Sequence, residues 1–304
     1  MHPSPLSGVY AAALTPLKPD QSFDPDGLVA LLHFFAARGC HGALLLGTTG
    51  EGPSFSPRER GEVLRAGLTV RQTHAGFRLL AGTGTPSLDE TIFLTKEAFD
   101  LGYDGVVVLP PYYLRKVSDD GLFAWFSEVL RRAVPAGGHF LGYHIPPVSG
   151  VPLSLDLLAR LKDHFPDKFA GIKDSSAQLD EAQGLGERFG TTLAVFNGTD
   201  RLLTQAYAAH AAGSITALAN LISPDLRRIW DAHQQQKTDA LAQASANTAR
   251  DVSEKFPPAP AFLKRLLAEL HGFPTWAVKP PLMPIPDEVA RRALTAWKTR
   301  GQMV

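Results

Sequence analysis

One amine, three phenols and a pair of adjacent hydroxyls are the groups in this sequence best suited to chemistry. The amine is Lys173, in the run Ala-Gly-Ile-Lys-Asp-Ser at 170–175, which reads as a short buried strand. Side chains alternate along a strand, so Gly171, Lys173 and Ser175 share one face while Ala170, Ile172 and Asp174 point to the other. The lysine therefore has small neighbours and room around its nitrogen. Burial disfavours an ammonium ion, and a neutral amine is the nucleophile that forms a Schiff base with a carbonyl. The alternative is a lysine at a strand end whose charge reaches solvent along its stem.

The remaining groups share a chemical character. Gly47-Thr48-Thr49-Gly50-Glu51 offers two hydroxyls and flexible backbone where a strand ends, a cradle for a carboxylate or an ordinary Gly-Thr turn. Tyr143 can pass protons to and from a carbonyl or hydroxyl, or serve as a packed ring. Tyr112 and Tyr113 follow two prolines and suit a site or a subunit interface. Gly198 to Asp200 and Gly213-Ser214 would form a phosphate cradle in a rival reading, with Arg115 and Lys116 for an anionic tail, although the glycines are sparse. There is no His-Glu-x-x-His and no paired Cys-x-x-Cys, so no metal is expected. Hydroxyls, phenols and an amine are equipment for carbonyl chemistry.

Strands expected at 9–17, 43–49, 78–84, 105–109, 140–145, 170–175, 193–197 and 213–217 alternate with helices expected at 26–38, 57–73, 88–101, 119–133, 155–165, 179–189, 201–211 and 224–235. Ser56 with Glu59 three positions on has the spacing of a capping box. Eight strand–helix units in about 230 residues match a closed (β/α)8 barrel, the TIM barrel, over 1–236. A doubly wound open sheet is the runner-up, but no Gly-x-Gly-x-x-Gly turn follows the first strand. From 237 to 304 the pattern is helical alone, broken at Phe256-Pro257-Pro258 and Lys279-Pro280-Pro281, and reads as a C-terminal helical extension. In such barrels the active site lies at the C-terminal ends of the strands, which is where Thr48, Tyr113, Tyr143, Lys173 and Asp200 fall.

Composition restricts the partners. Thirty basic residues balance thirty acidic ones in 304, so no net field favours nucleic acid or an anionic membrane. The single cysteine, Cys40, cannot form an internal disulfide, which suits a reducing compartment. No apolar run reaches the length of a membrane span and no basic n-region precedes 9–14, so a soluble cytoplasmic protein is expected.

Five motifs in order resemble the dihydrodipicolinate synthase/N-acetylneuraminate lyase family of pyruvate-dependent class I aldolases: Gly47 to Glu51, Pro111-Tyr112-Tyr113, Tyr143-His144-Ile145-Pro146, Gly171-Ile172-Lys173-Asp174 and Asn197-Gly198-Thr199-Asp200. The resemblance runs from Gly8 to Leu282. It implies an imine between Lys173 and the keto carbon of pyruvate or another 2-keto acid, with Tyr143 and Thr48 in a proton relay and Tyr113 reaching in from a partner subunit. It further implies that Thr48 and Thr49 grip the carboxylate, and that Gly198 and the Ile215 backbone line the pocket. Neither metal nor other cofactor is implied, and the family forms homo-oligomers, tetramers or dimers.

Within the family the motifs point in different directions. Dihydrodipicolinate synthases place an arginine after Tyr-x-x-Pro, where this chain has Val148, and valine makes no bidentate contact with a carboxylate. N-acetylneuraminate lyases carry Asp-Glu after Asn-Gly-x, where this chain has Asp200-Arg201. Gly47 to Pro53 and Gly171 to Ser175 are similar to 2-keto-3-deoxygluconate aldolases. The expected reaction is cleavage of a 2-keto-3-deoxy sugar acid, or a 4-hydroxy-2-oxo acid, to pyruvate and an aldehyde, with Ser175 and Asp200 meeting substrate hydroxyls. Dihydrodipicolinate synthesis, sialic acid cleavage, and dehydration or deamination through the same imine are alternatives. A non-catalytic 2-keto-acid-binding or scaffold protein is the reading from another class, against which the complete lysine, tyrosine and threonine set argues.

Overall fold

A computed structural model describes residues 4–300. Eight strands in chain order close into a barrel, in which the first pairs with the second, and each from the third to the seventh with its successor, in parallel. The strands are β1 (Gly8–Ala12), β2 (Gly42–Leu45), β3 (Arg78–Gly82), β4 (Gly105–Val108), β5 (His139–His144), β6 (Phe169–Asp174), β7 (Ala194–Asn197) and β8 (Gly213–Thr216). They are almost wholly buried on both faces, which is why they read as continuous apolar runs of Val, Leu, Ala and Phe instead of alternating ones. The fold is the expected (β/α)8 barrel.

The helices are α1 (Pro25–Ala37), α2 (Pro57–Gly67), α3 (Leu88–Asp100), α4 (Asp119–Ala133), α5 (Pro146–Ser149), α6 (Leu155–His164), α7 (Leu179–Phe189), α8 (Leu203–Ala208), α9 (Ala219–Gln234), α10 (Ala240–Glu254), α11 (Ala259–His271) and α12 (Asp287–Thr299). Contacts divide the chain into two compact units, one of residues up to Ser7 with Arg78–Ser214, the other of Gly8–Phe77 with Ile215 onward. Ser87, Ser118 and Ser154 each accept a hydrogen bond from a first-turn amide of α3, α4 and α6, so those helices start where a serine precedes the apolar period. In the second unit Ser56 and Glu59 form the expected capping box on α2.

Several expected boundaries are corrected. The first strand stops at Ala12 and not at 17, because Asn220 takes over: its amide donates to the Ala12 carbonyl, and its Oδ1 accepts from the Leu14 amide. The second strand ends at Leu45, where Leu46 turns left-handed at φ 57°. The helix expected over 57–73 is α-helical to Gly67 and tightens into a 3-10 turn, Leu68–Gln72. The one expected over 201–211 is a 3-10 turn, Asp200–Leu202, followed by the short α8. The helix expected from 224 is found: Ala219–Gln234 is two helical segments joined by a kink at Ile222 (φ −116°, ψ 27°), and Pro224 lies in the first turn of the second, where its missing N–H is no loss. After α11, Val278, Ile285 and Ala290 pack on Ala261 and fix the C-terminal segment.

Candidate active site

In the first unit, β5 and β6 pair so that Tyr143 is directly opposite Lys173, and His144 opposite Asp174. Lys173 is only 3% exposed, and its Nζ lies 4.2 Å from the centroid of the Tyr143 ring, itself buried. Gly171 has no room for a side chain, since a Cβ there would overlap the Ala194 carbonyl, so the strands close tightly just before the lysine. The two residues in which carbonyl chemistry was expected are therefore set opposite each other by the pairing of β5 and β6, whose register shifts between Phe140 and Leu141.

The ends of these strands are stitched together. The Ser175 amide donates to the His144 carbonyl (2.8 Å) and the Gly198 amide to the Asp174 carbonyl (2.6 Å). Ser175 and Gly198 are in contact: a Cβ at 198 would overlap Ser175 Oγ and come within 2.8 Å of the Asp174 oxygen. Both are half-buried, whereas Asp200 is wholly buried. Burial pushes the Tyr207 phenol above its ordinary value, and the Asp200 carboxylate adds to that push. Tyr113 is 81% exposed in this single chain, with Leu114 and Val148 also exposed.

Behind the lysine sits a pair that sequence reasoning missed. His144 Nδ1 accepts from the Leu153 amide (3.0 Å), Asp174 Oδ1 accepts from the Ser176 amide (2.9 Å), and Asp174 Oδ2 has no hydrogen-bond partner. Burial pulls His144 below its ordinary value and pushes Asp174 above its own, partly offset in each by the charge of the other.

In the second unit, Thr48 and Thr49 occupy a turn between two left-handed residues, Leu46 and Glu51, both at φ 57°. The Glu51 amide donates to the Thr48 carbonyl and the Gly52 amide to the Gly47 carbonyl, at 3.1 Å each. Thr15 Oγ1 donates to the Gly50 carbonyl at 2.7 Å. Thr48 is exposed and Thr49 buried. Ile215, on β8, is wholly buried. Lys264 on α11 is buried against Glu51, a second missed pair. Its signal was there: a lysine amid Ala261, Phe262, Leu263, Leu266 and Leu267 faces apolar surroundings and needs a partner. Among the described residues no group of three or more His, Cys, Asp and Glu side chains could hold a metal ion, and no helix is long and apolar enough to cross a membrane.

The family model of the dihydrodipicolinate synthetase family matches residues 5–298. The chain belongs to that family. A DapA-like lyase of Chloroflexus aurantiacus, described as uncharacterized, is 38% identical over 96% of each chain. A 4-hydroxy-tetrahydrodipicolinate synthase of Corynebacterium urealyticum is 34% identical over 79% of this chain and 77% of that one. The crystal structure of dihydrodipicolinate synthase from Agrobacterium tumefaciens is 31% identical, with a TM-score of 0.86 over 96% of this chain and 98% of that one. The family resemblance carried by the five motifs thus holds along the whole chain, and this member of the dihydrodipicolinate synthetase family is an enzyme, a lyase of the class I type.

Proposed function

We propose that Lys173 forms an imine with the keto carbon of a 2-keto acid and that the protein reversibly cleaves a 2-keto-3-deoxy sugar acid, or a related 4-hydroxy-2-oxo acid, to pyruvate and an aldehyde. The observation that carries this reading is the buried Lys173 amine stacked 4.2 Å over the Tyr143 ring. The amine adds to the ketone and water leaves, giving a protonated imine. Removal of the C4 hydroxyl proton then breaks the C3–C4 bond; the aldehyde departs, and the bonding electrons move into the imine as an enamine. A proton added at C3 and a water at C2 release pyruvate and restore the amine. Tyr143, with Thr48, moves the protons. Thr48 and Thr49 take the carboxylate, Gly198 and the Ile215 backbone line the pocket, and Ser175, half-buried, is better suited than the enclosed Asp200 to meet substrate hydroxyls.

Val148, 56% exposed on the short helix α5, supports a sugar acid over aspartate semialdehyde, because an apolar side chain offers nothing to a second carboxylate. Dihydrodipicolinate synthesis is kept as the second reading on the strength of the 34%-identical synthase. The exposed Tyr113 and Leu114 fit a homo-oligomer in which Tyr113 enters a neighbouring subunit's site. Borohydride reduction with pyruvate, followed by peptide mass mapping, tests the imine: an adduct at Lys173 is expected, and its absence sinks the proposal. Turnover of 2-keto-3-deoxy acids, compared with pyruvate plus aspartate semialdehyde and with N-acetylneuraminate, then ranks the substrates.

A further inference from the structure

Glu51 ends the threonine turn, and its side chain is completely enclosed. Lys264 Nζ donates to Glu51 Oε1 at 2.5 Å, with side-chain exposures of 1% and 0%. The Lys279 amide donates to Glu51 Oε2 at 2.8 Å, and Lys264 also donates to the Ala277 carbonyl at 2.6 Å. Both carboxylate oxygens are thereby taken by α11 and the chain that follows it. The Lys279 side chain completes the grip: it pairs with Glu59 of the α2 capping box and lies 4.4 Å over the Phe55 ring. From the other side, Thr15 holds the Gly50 carbonyl. A Cβ at Gly52 would overlap the Leu46 carbonyl, so the turn has a single way to close.

An ion pair buried this deeply is a poor source of stability, since well-packed apolar residues of similar volume usually do as well or better. What the pair adds is direction. Two donors, one on each carboxylate oxygen, fix the rotation of Glu51, and with it the left-handed backbone that ends the turn. We propose that Glu51 and Lys264 are positioning residues, through which the helices after the barrel hold Thr48 and Thr49 in the geometry that receives the keto acid's carboxylate. This rests on the reading of the two threonines as the carboxylate cradle.

The test uses the full-length protein and borohydride trapping over a range of pyruvate concentrations, with urea unfolding alongside. Glu51→Gln and Lys264→Met are expected to raise the half-saturating pyruvate concentration about tenfold or more, the lower end of what loss of a group that orients a ligand-binding residue costs. The adduct at saturation stays on Lys173 and at the wild-type extent. Glu51→Asp, which keeps the charge, shifts half-saturation less and serves if the other variants do not fold. Arg265→Ala, next to Lys264 on α11, removes ion pairs to Glu269 of that helix and Asp287 of α12 and leaves half-saturation unchanged. A folded Glu51→Gln or Glu51→Asp protein with unshifted half-saturation overturns the proposal. A wild-type chain that forms no adduct defeats the proposed function first, and this inference falls with it.

Discussion

The lysine and the threonines are held by opposite means. Lys173 and Tyr143 sit on strands, and hydrogen-bonded pairing, after a register shift between Phe140 and Leu141, sets them opposite each other. Thr48 and Thr49 sit on irregular backbone between two left-handed residues, and the turn is held by Lys264 and Lys279, 213 and 228 positions from Glu51. A side chain placed by strand register tolerates changes in its surroundings, because sliding the register would turn every neighbour over. One placed by a turn depends on whatever grips the turn.

That contrast can be broken or sharpened by substitution, beginning where the effect is greatest. Lys173→Ala is expected to abolish both the borohydride adduct and turnover while the protein still unfolds cooperatively in urea; a residual adduct on another lysine would remove the strand-held amine from the comparison. Tyr143→Phe keeps the ring against the lysine and loses only the hydroxyl. Its turnover should fall about 100-fold or more, the range for loss of a general acid–base group, with half-saturation for pyruvate little changed. A mainly altered half-saturation would instead make Tyr143 a binding group. Gly198→Ala crowds Ser175 and the Asp174 carbonyl and should cost about 1–3 kcal/mol in urea unfolding, as overpacking does; no change would mean that the strand ends give way more easily than their hydrogen bonds suggest.

The smallest effect concerns the pair behind the lysine. His144 is held below its ordinary value of 6.5, so as pH falls below 6.5 the unfolded chain takes up a proton that the folded chain resists, and stability declines. Asp174, held above 3.8, acts in the other sense, its contribution being lost as pH rises from there. His144→Asn retains an oxygen acceptor for the Leu153 amide and leaves Asp174 in place. It should remove a slope of at most about 1.4 kcal/mol per pH unit just below 6.5, measured as the urea midpoint against pH. An unchanged slope assigns it to other groups.

How legible each part was follows the same division. The strand–helix count, the ends of α4 and α7 and the capping box at Ser56 and Glu59 could be read directly, because each rests on residues a few positions apart. That β5 and β6 are neighbours followed from the order of the strands, but the register that sets Tyr143 opposite Lys173 depends on a shift between Phe140 and Leu141 that the sequence does not mark. The end of β1 could not be read, because it depends on Asn220, about 200 positions away in sequence. Nor could the partner of Lys264: the apolar run around it announces that a buried charge needs compensation, but many acidic residues could have supplied it. Pro224 is legible as a helix start because proline suits a first turn, whereas the short helical segment joined ahead of it by the kink at Ile222 leaves no such mark.

While Lys173 and Tyr143, proposed to form the imine and move its protons, are buried on β6 and β5, the loops after β4 and β5 leave Tyr113, Leu114, Val117 and Val148 bare to solvent. Their identity is therefore decoupled from the integrity of the scaffold. On the proposed function, substitutions in these loops would change which aldehyde is accepted while leaving the buried lysine and tyrosine as they are. A library confined to 114–117 and 148, which keeps Tyr113, tests this through the range of aldehydes accepted.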